Sequence, residues 1–168
     1  MLNWIKNHTQ KNWPAASIEN DGETVIAASA ADIFERLDLA SPRNALRERG
    51  FVFGPGNPAY NIFEATDPAQ PEIVQIFEVT EYLPRKRYCF RSTFHSEASV
   101  GGLLEAASEY TIVPQKDGRH LLHLQETSVL KPGLTRNQYI LERATLNFSV
   151  FRNLARLRLH IELGADAV

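Results

Sequence analysis

The chain has a single cysteine, Cys89, in 168 residues. A disulfide framework is therefore excluded, and so is a zinc cluster built from the cysteines of one chain. A lone thiol fits a reducing compartment. No apolar run approaches the ~18 residues of a membrane-spanning helix. The opening MLNWIKNHTQKNWPAAS is interrupted by Lys6, His8 and Lys11 before a signal-peptide core can form. A cytoplasmic protein with no stable membrane insertion is the expectation. Charge of one sign is missing too: 18 Lys and Arg stand against 20 Asp and Glu, for a net charge of −2. That leaves no global attraction to nucleic acid, and no nucleic-acid partner is expected. Metal-type histidine spacing is absent. His120 and His123 lie three apart on a strand candidate and point to opposite faces, and His8, His95 and His160 are scattered. No metal and no cofactor are expected. Repeats, low-complexity segments and long linkers are also lacking.

What is present is enough for one domain with a real core, since the apolar fraction is 43%. Residues 1–16 read as an arm of that domain, pinned by Trp4, Ile5 and Trp13. SIENDGETVIAAS reads as extended. SAADIFERLDLA reads as a helix, with Ser29 as N-cap, Asp32 at the third position, and Ile33, Phe34 and Leu37 on its apolar face. SPRNALRERG repeats the start signal, with Ser41 as N-cap, Pro42 at the first helical position and Gly50 as the stop. Strand candidates then follow one another: FVFGPGNPAYNIFEAT, PEIVQIFEVTEYLP, KRYCFRSTFHS, LLEAASEYTIVP and RHLLHLQETSVL. The last two flank QKDG, a hairpin turn. This is the pattern of an antiparallel meander.

From Thr135 to Leu163 there is neither proline nor glycine, and the period changes to that of a helix. About 28 residues at 1.5 Å each would span roughly 42 Å. Ile140, Ala144, Phe148, Phe151, Ala155 and Leu159 fall on one side; Leu146, Val150, Leu154, Leu157 and Ile161 fall on the adjacent side. The apolar arc is wider than one surface contact needs. A curved sheet with its large side chains on one face needs a cover, and this helix is the element able to supply it. A bent sheet gripping one helix leaves a space between them. Arg152, Arg156 and Arg158 read as snorkelling side chains on the flanks of that core helix.

The order of elements resembles the START / Bet v 1-like helix-grip superfamily, in particular its polyketide cyclase/dehydrase and lipid-transport branch (SRPBCC). ETVIAASAADIFERLDLA is similar to the opening strand and first helix, and EVTEYLPRKRYCFRS to two strands joined by a Pro-basic turn. YTIVPQKDGRHLLHLQET is similar to the last hairpin, and NLARLRLHIE to the end of the terminal helix. The resemblance spans residues 18–163. It implies an α+β helix-grip fold with an internal cavity. It names no single activity, because this superfamily hosts binding proteins, cyclases, chaperone activators and regulators.

Strand alternation with that resemblance points to binding of a small hydrophobic or amphipathic molecule, such as a lipid, polyketide or aromatic metabolite. The expected walls are Phe77, Tyr88, Phe90, Phe94, Tyr110, Leu122, Leu124, Phe148 and Phe151, with Ser108, Glu126 and Tyr139 as orienting polar groups. Glu126 follows Leu122 and Leu124 in alternation, so it shares their inward face; a one-residue slip would put His123 and Gln125 inside instead. A carboxyl in such a place is the catalytic candidate of the alternative reading, a polyketide cyclase/dehydratase with Glu126 or a tyrosine moving a proton. A protein-interaction module of the same fold is the further alternative. Glu105 and Glu109 share a strand face and read as its solvated side. Gly101-Gly102 reads as a turn, since no Lys-Ser/Thr follows as in a phosphate loop. The loop Gly54 to Tyr60 is a candidate for the cavity mouth. The number of subunits is not encoded in any of these features.

Overall fold

The computed structural model describes residues 15–54, 56, 57, 59, 61–95 and 101–164. The expected anchors Trp4, Ile5 and Trp13 lie outside the described residues, as do residues 55, 58 and 60 of the Gly-Pro loop.

The chain runs through β1 (Ala16–Ile26), α1 (Ala30–Leu37), α2 (Ala45–Glu48), β2 (Val52–Phe53), β3 (Ile62–Thr66), β4 (Val74–Leu83), β5 (Arg87–His95), β6 (Leu103–Pro114), β7 (His120–Leu130) and α3 (Arg136–Leu163). The seven strands make one sheet in the order β1-β7-β6-β5-β4-β3-β2. Every pairing is antiparallel. Six strands form the expected meander. β1 joins it by pairing with β7, the last strand in sequence, so α1 and α2 carry the chain from one sheet edge to the other.

Local chemistry fixes the ends. The Ser29 hydroxyl accepts from the Asp32 N–H at 3.1 Å and donates to its carboxylate at 2.6 Å, starting α1. Thr135 and Gln138 form a full capping box at the start of α3, and Gly164, at φ +94°, ends it. The second helix begins later than its start signal implied. Ser41 spends its hydroxyl on the Arg43 N–H at 3.1 Å, and Asn44 is the N-cap. Asn44 wins because it serves two helices. Its carboxamide donates to the Leu37 carbonyl at 3.1 Å and accepts from the Leu46 N–H at 3.0 Å.

Alternation along the strands sets the inner face. Leu122, Leu124, Glu126, Ser128 and Leu130 are buried on β7, and Ala106, Ser108, Tyr110 and Ile112 on β6. Tyr110 pairs with Leu124 and Ser108 with Glu126, so β6 and β7 turn the same face inward. Glu105 and Glu109 lie on the outer face, where they bind Arg91 at 3.5 Å and Arg87 at 2.8 Å.

The helix α3 covers the inner face but is displaced toward one edge, packing on β1 and β7. Gly22 explains the displacement. A Cβ at this position would stand 2.9 Å from Val150 Cγ1 and 3.1 Å from Leu154 Cδ1, so only glycine lets the helix come this near to β1. Leu146, Val150, Leu154 and Leu157 are buried beneath the helix. Its other apolar stripe faces out. Phe148 is 74% exposed and Phe151 61%, which corrects the expectation that they wall the interior. The apolar arc of α3 is wide enough for either side to bury, and contact with β1 selects the side carrying Val150 and Leu154.

Candidate functional site

Displacing α3 toward β1 leaves part of the inner face of β4, β5 and β6 uncovered by α3, while Phe34 of α1 packs on Tyr82 and Tyr88 at one end of it. A cavity of about 520 Å³ occupies that space. Phe77 of β4, Phe90 and Phe94 of β5, and Tyr110 of β6 form its sheet wall. Phe77 meets Phe90 edge-on at 5.4 Å, and Phe90 stacks on Tyr110 at 6.2 Å, so the wall is a continuous aromatic surface. Leu146, Ser149, Asn153 and Leu157 of α3 form the opposite wall, and Leu37, Leu39 and Leu46 close one end.

Not every expected residue lines this space. Phe77, Phe90, Phe94, Tyr110 and Glu126 do. Ser108 is buried on the same inner face, but it is not among the lining residues. Tyr88 is a core side chain instead, 1% exposed, whose hydroxyl accepts from the Leu39 N–H at 3.0 Å. Leu122 and Leu124 are fully buried in the packed core. Tyr139 packs in a separate small cluster around Ile18, Leu130 and Leu146, near the start of α3. Phe151 lies in a separate groove between α3 and β1.

Glu126 is the buried carboxyl of the cavity, 7% exposed. Burial raises its pKa above the usual carboxylate value, and hydrogen bonds from Ser149 and Ser128 offset only part of that rise. Ser149 adds a geometric reason. Its hydroxyl lies 2.7 Å from the Leu146 carbonyl and 3.0 Å from Glu126 Oε1, and it has a single proton. When that proton goes to the carbonyl, the contact with Glu126 is completed by a proton on the carboxyl. Tyr110 sits nearby, and burial together with the Glu126 charge pushes its phenol up. The Tyr110 hydroxyl makes no hydrogen bond with a described residue. The cavity therefore offers a carboxyl that favours its neutral form and a phenol against an aromatic wall.

The other end is ionic. Glu48 of α2 binds both Arg36 of α1 and His160 of α3, and the Arg36 guanidinium lies 3.3 Å from His160 Nε2. Burial acts to raise the Glu48 pKa, but the hydrogen bonds and charges of His160 and Arg36 outweigh it and hold the carboxyl below its usual value. This cluster ties the last turn of α3 to both short helices. His160 is 1% exposed, and its Nδ1 has no hydrogen-bond partner among the described residues. Further out, Arg49, Arg152 and Arg156 reach the same cavity from its exposed rim. The flank-arginine reading holds for Arg158, which binds Glu162 at 3.1 Å. It misses Arg152 and Arg156, which line the cavity. Sequence reasoning also missed Arg36, Asn44, Glu48 and Arg49, since nothing local to residues 36–49 shows that the end of α3 lies against them.

Cys89 carries no nucleophilic signature. Burial raises its thiol pKa, and its neighbours on the outer face are Arg87, Glu81 and Glu109. Among the described residues, no group of His, Cys, Asp and Glu is arranged to hold a metal. None of their helices is long and apolar enough to cross a membrane. Gly101-Gly102 forms the turn into β6, and the Gly102 N–H donates to the Glu142 carboxylate at 2.7 Å.

No protein-family model matches the chain, and no curated protein does. Solved structures match its shape. DynU16, a protein of the dynemicin biosynthetic locus, is 18% identical with a TM-score of 0.61, over 87% of this chain and 48% of that one. The chain thus spans about half the length of DynU16. Truncated norcoclaurine synthase from Thalictrum flavum is 13% identical with a TM-score of 0.58, over 89% of this chain and 96% of that one. Ara h 8.0201 is 8% identical with a TM-score of 0.59, over 87% and 98%. The architecture is that of the Bet v 1-like helix-grip fold: a curved antiparallel sheet, two short helices after the first strand, and a long C-terminal helix. At these identities the likeness is one of fold.

Proposed function

We propose that the protein binds a small hydrophobic or amphipathic molecule in the cavity between its sheet and α3. One observation carries the reading. A space of about 520 Å³ is walled by Phe77, Phe90, Phe94 and Tyr110, with polar groups, Glu126 and the Tyr110 hydroxyl among them, set beside that aromatic surface. That combination of apolar lining and a few placed polar groups is the usual make-up of a small-molecule site, and the volume lies within the ~300–1,000 Å³ range of such sites. The aromatic wall gives affinity by burial, and the polar pair orients a hydroxyl or carbonyl. Native mass spectrometry of freshly purified protein, followed by extraction of bound material, tests this. A discrete, releasable mass supports it. A protein that stays empty and takes up no hydrophobic probe would sink it.

A second reading, a cyclase or dehydratase acting on a polyketide-like chain, is favoured by Glu126. A carboxyl whose pKa is raised by burial is a proton donor and acceptor closer to neutral pH than an ordinary one. With the Tyr110 phenol polarising a carbonyl, the ionised Glu126 carboxyl could take the proton from the adjacent carbon and its acid form deliver that proton to a departing β-hydroxyl, which leaves as water. The fold neighbours include a protein from a biosynthetic locus and a synthase, which supports trying such substrates. The Glu126→Gln variant separates the readings. Turnover of a polyketide-like substrate that drops by ~10²–10⁴-fold in the variant, at unchanged affinity, would establish the enzyme.

A further inference from the structure

Arg49, Arg152 and Arg156 stand on the rim of the cavity, and no described residue forms an ion pair with them. Arg49 is the C-terminal cap of α2. Arg152 and Arg156 are one turn apart on α3, on the flank that also carries Ser149 and Asn153 into the cavity. Among the described residues, none of the three guanidiniums makes an ion pair within 4 Å or a side-chain hydrogen bond. Arg49 does lie over the Phe51 ring, at 5.6 Å. The molecule pairs most of its other arginines: Arg36, Arg43, Arg87, Arg91, Arg119 and Arg158 all bind carboxylates.

The cluster is under electrostatic tension. Burial lowers the Arg49 pKa first, and the charges of Arg156 and Arg152 lower it further against the opposing pull of Asp67. Like charges four apart on a helix are themselves unfavourable. The acidic groups of the lining do not relieve this. Glu142 is engaged with the Gly102 N–H, and Glu126 is the buried carboxyl beside Ser149.

We propose that the cavity takes an amphipathic molecule with an anionic head, a carboxylate or a phosphate, held by Arg49, Arg152 and Arg156 while its apolar body lies against Phe77, Phe90 and Phe94. This rests on the ligand-binding reading above. Guanidinium forks match both head groups in bidentate geometry. The inner end, with Glu126 favouring its neutral form, repels no apolar or hydroxylated tail. The site thus has polarity: acid outward, apolar chain inward.

The test uses three probes of one chain length, dodecanoate, dodecyl phosphate and dodecanol, each displacing Nile red from the full-length protein below its micellar concentration. Dodecanoate or dodecyl phosphate should displace the dye at ~10-fold or more lower concentration than dodecanol, the size expected of a charge-assisted hydrogen bond. The order of the two acids tells carboxylate from phosphate. Arg152→Gln with Arg156→Gln should remove that preference and leave dodecanol unchanged. Arg136→Gln with Arg143→Gln, which alters net charge equally on exposed positions of the same helix, should keep it. Equal displacement by all three probes, or equal loss in both double variants, overturns the anionic head and leaves the cavity reading standing. Displacement by none of them overturns both.

Discussion

On its β1 side, α3 is packed shut; on the side facing β4 and β5 it stands clear of the sheet. The first flank places Val150 and Leu154 against Gly22, with Val150 Cγ1 as near as 2.9 Å to where a Cβ would be. The second carries Ser149, Arg152, Asn153 and Arg156 along a cavity of about 520 Å³. One helix thus serves as core on one side and as site on the other. The difference teaches that stability and binding reside on separate stripes, so substitutions should separate the two properties.

The largest stability effect belongs to the shut flank. Leu154→Ala should cost ~2–5 kcal/mol, measured by urea unfolding, because the side chain is 2% exposed and its loss leaves a void. A cost under ~1 kcal/mol would mean that this flank is not the packed one. Next comes Gly22→Val, expected to cost ~1–3 kcal/mol by driving Val150 and Leu154 out of place. Pushing the helix off β1 should also narrow the cavity, read as weaker uptake of a hydrophobic dye.

Two carboxylates, Glu126 in the cavity and Glu48 between Arg36 and His160, sharpen the comparison through pH. The folded-state pKa of Glu126 lies above 4.5, so its contribution to stability is full below 4.5 and is lost as pH rises through the folded value. Glu126→Gln should remove that decline and leave the protein at least as stable as the parent at neutral pH. Glu48 runs the other way. Its folded pKa lies below 4.5, so its contribution is present above 4.5 and is lost as pH falls through the folded value. Glu48→Gln should lose stability at neutral pH and flatten the acid limb of the same curve. Urea midpoints taken from acid to neutral pH check both signs, and matching slopes for the two variants would refute the assignment. The smallest effect is expected outside. Phe148→Ser should shift stability by no more than ~0.5 kcal/mol, since the ring is 74% exposed. A large loss there would return Phe148 to the interior, where its periodicity alone had allowed it.

Much of this was legible from local pattern. Alternation on RHLLHLQET placed Leu122, Leu124 and Glu126 on one face, and the structure buries all three. Alternation on KRYCFRSTF separated Tyr88, Phe90, Ser92 and Phe94 from Arg91, which pairs outside with Glu105. A period of two leaves only two choices per strand, and the large side chains decide between them. The helix was harder. Its apolar residues cover more than one stripe, so the 3.6 period set its existence and its ends but not its rotation. The rim arginines were harder still. Arg49 meets Arg152 and Arg156 across a long separation in sequence, and no local rule brings them together.

The sequence by itself determined the elements and their limits. Ser29 with Asp32, and Thr135 with Gln138, start helices because their hydroxyls satisfy free N–H groups; Gly164 ends the last one at a φ that side chains resist. The register that turns Glu126 inward, rather than His123 and Gln125, was settled by the pairing of β6 with β7. Tertiary structure alone decided which stripe of α3 is core, because only the close approach at Gly22 distinguishes two stripes of similar hydrophobicity. It alone decided that a cavity remains, since that space is what is left when one helix covers half of a wider sheet.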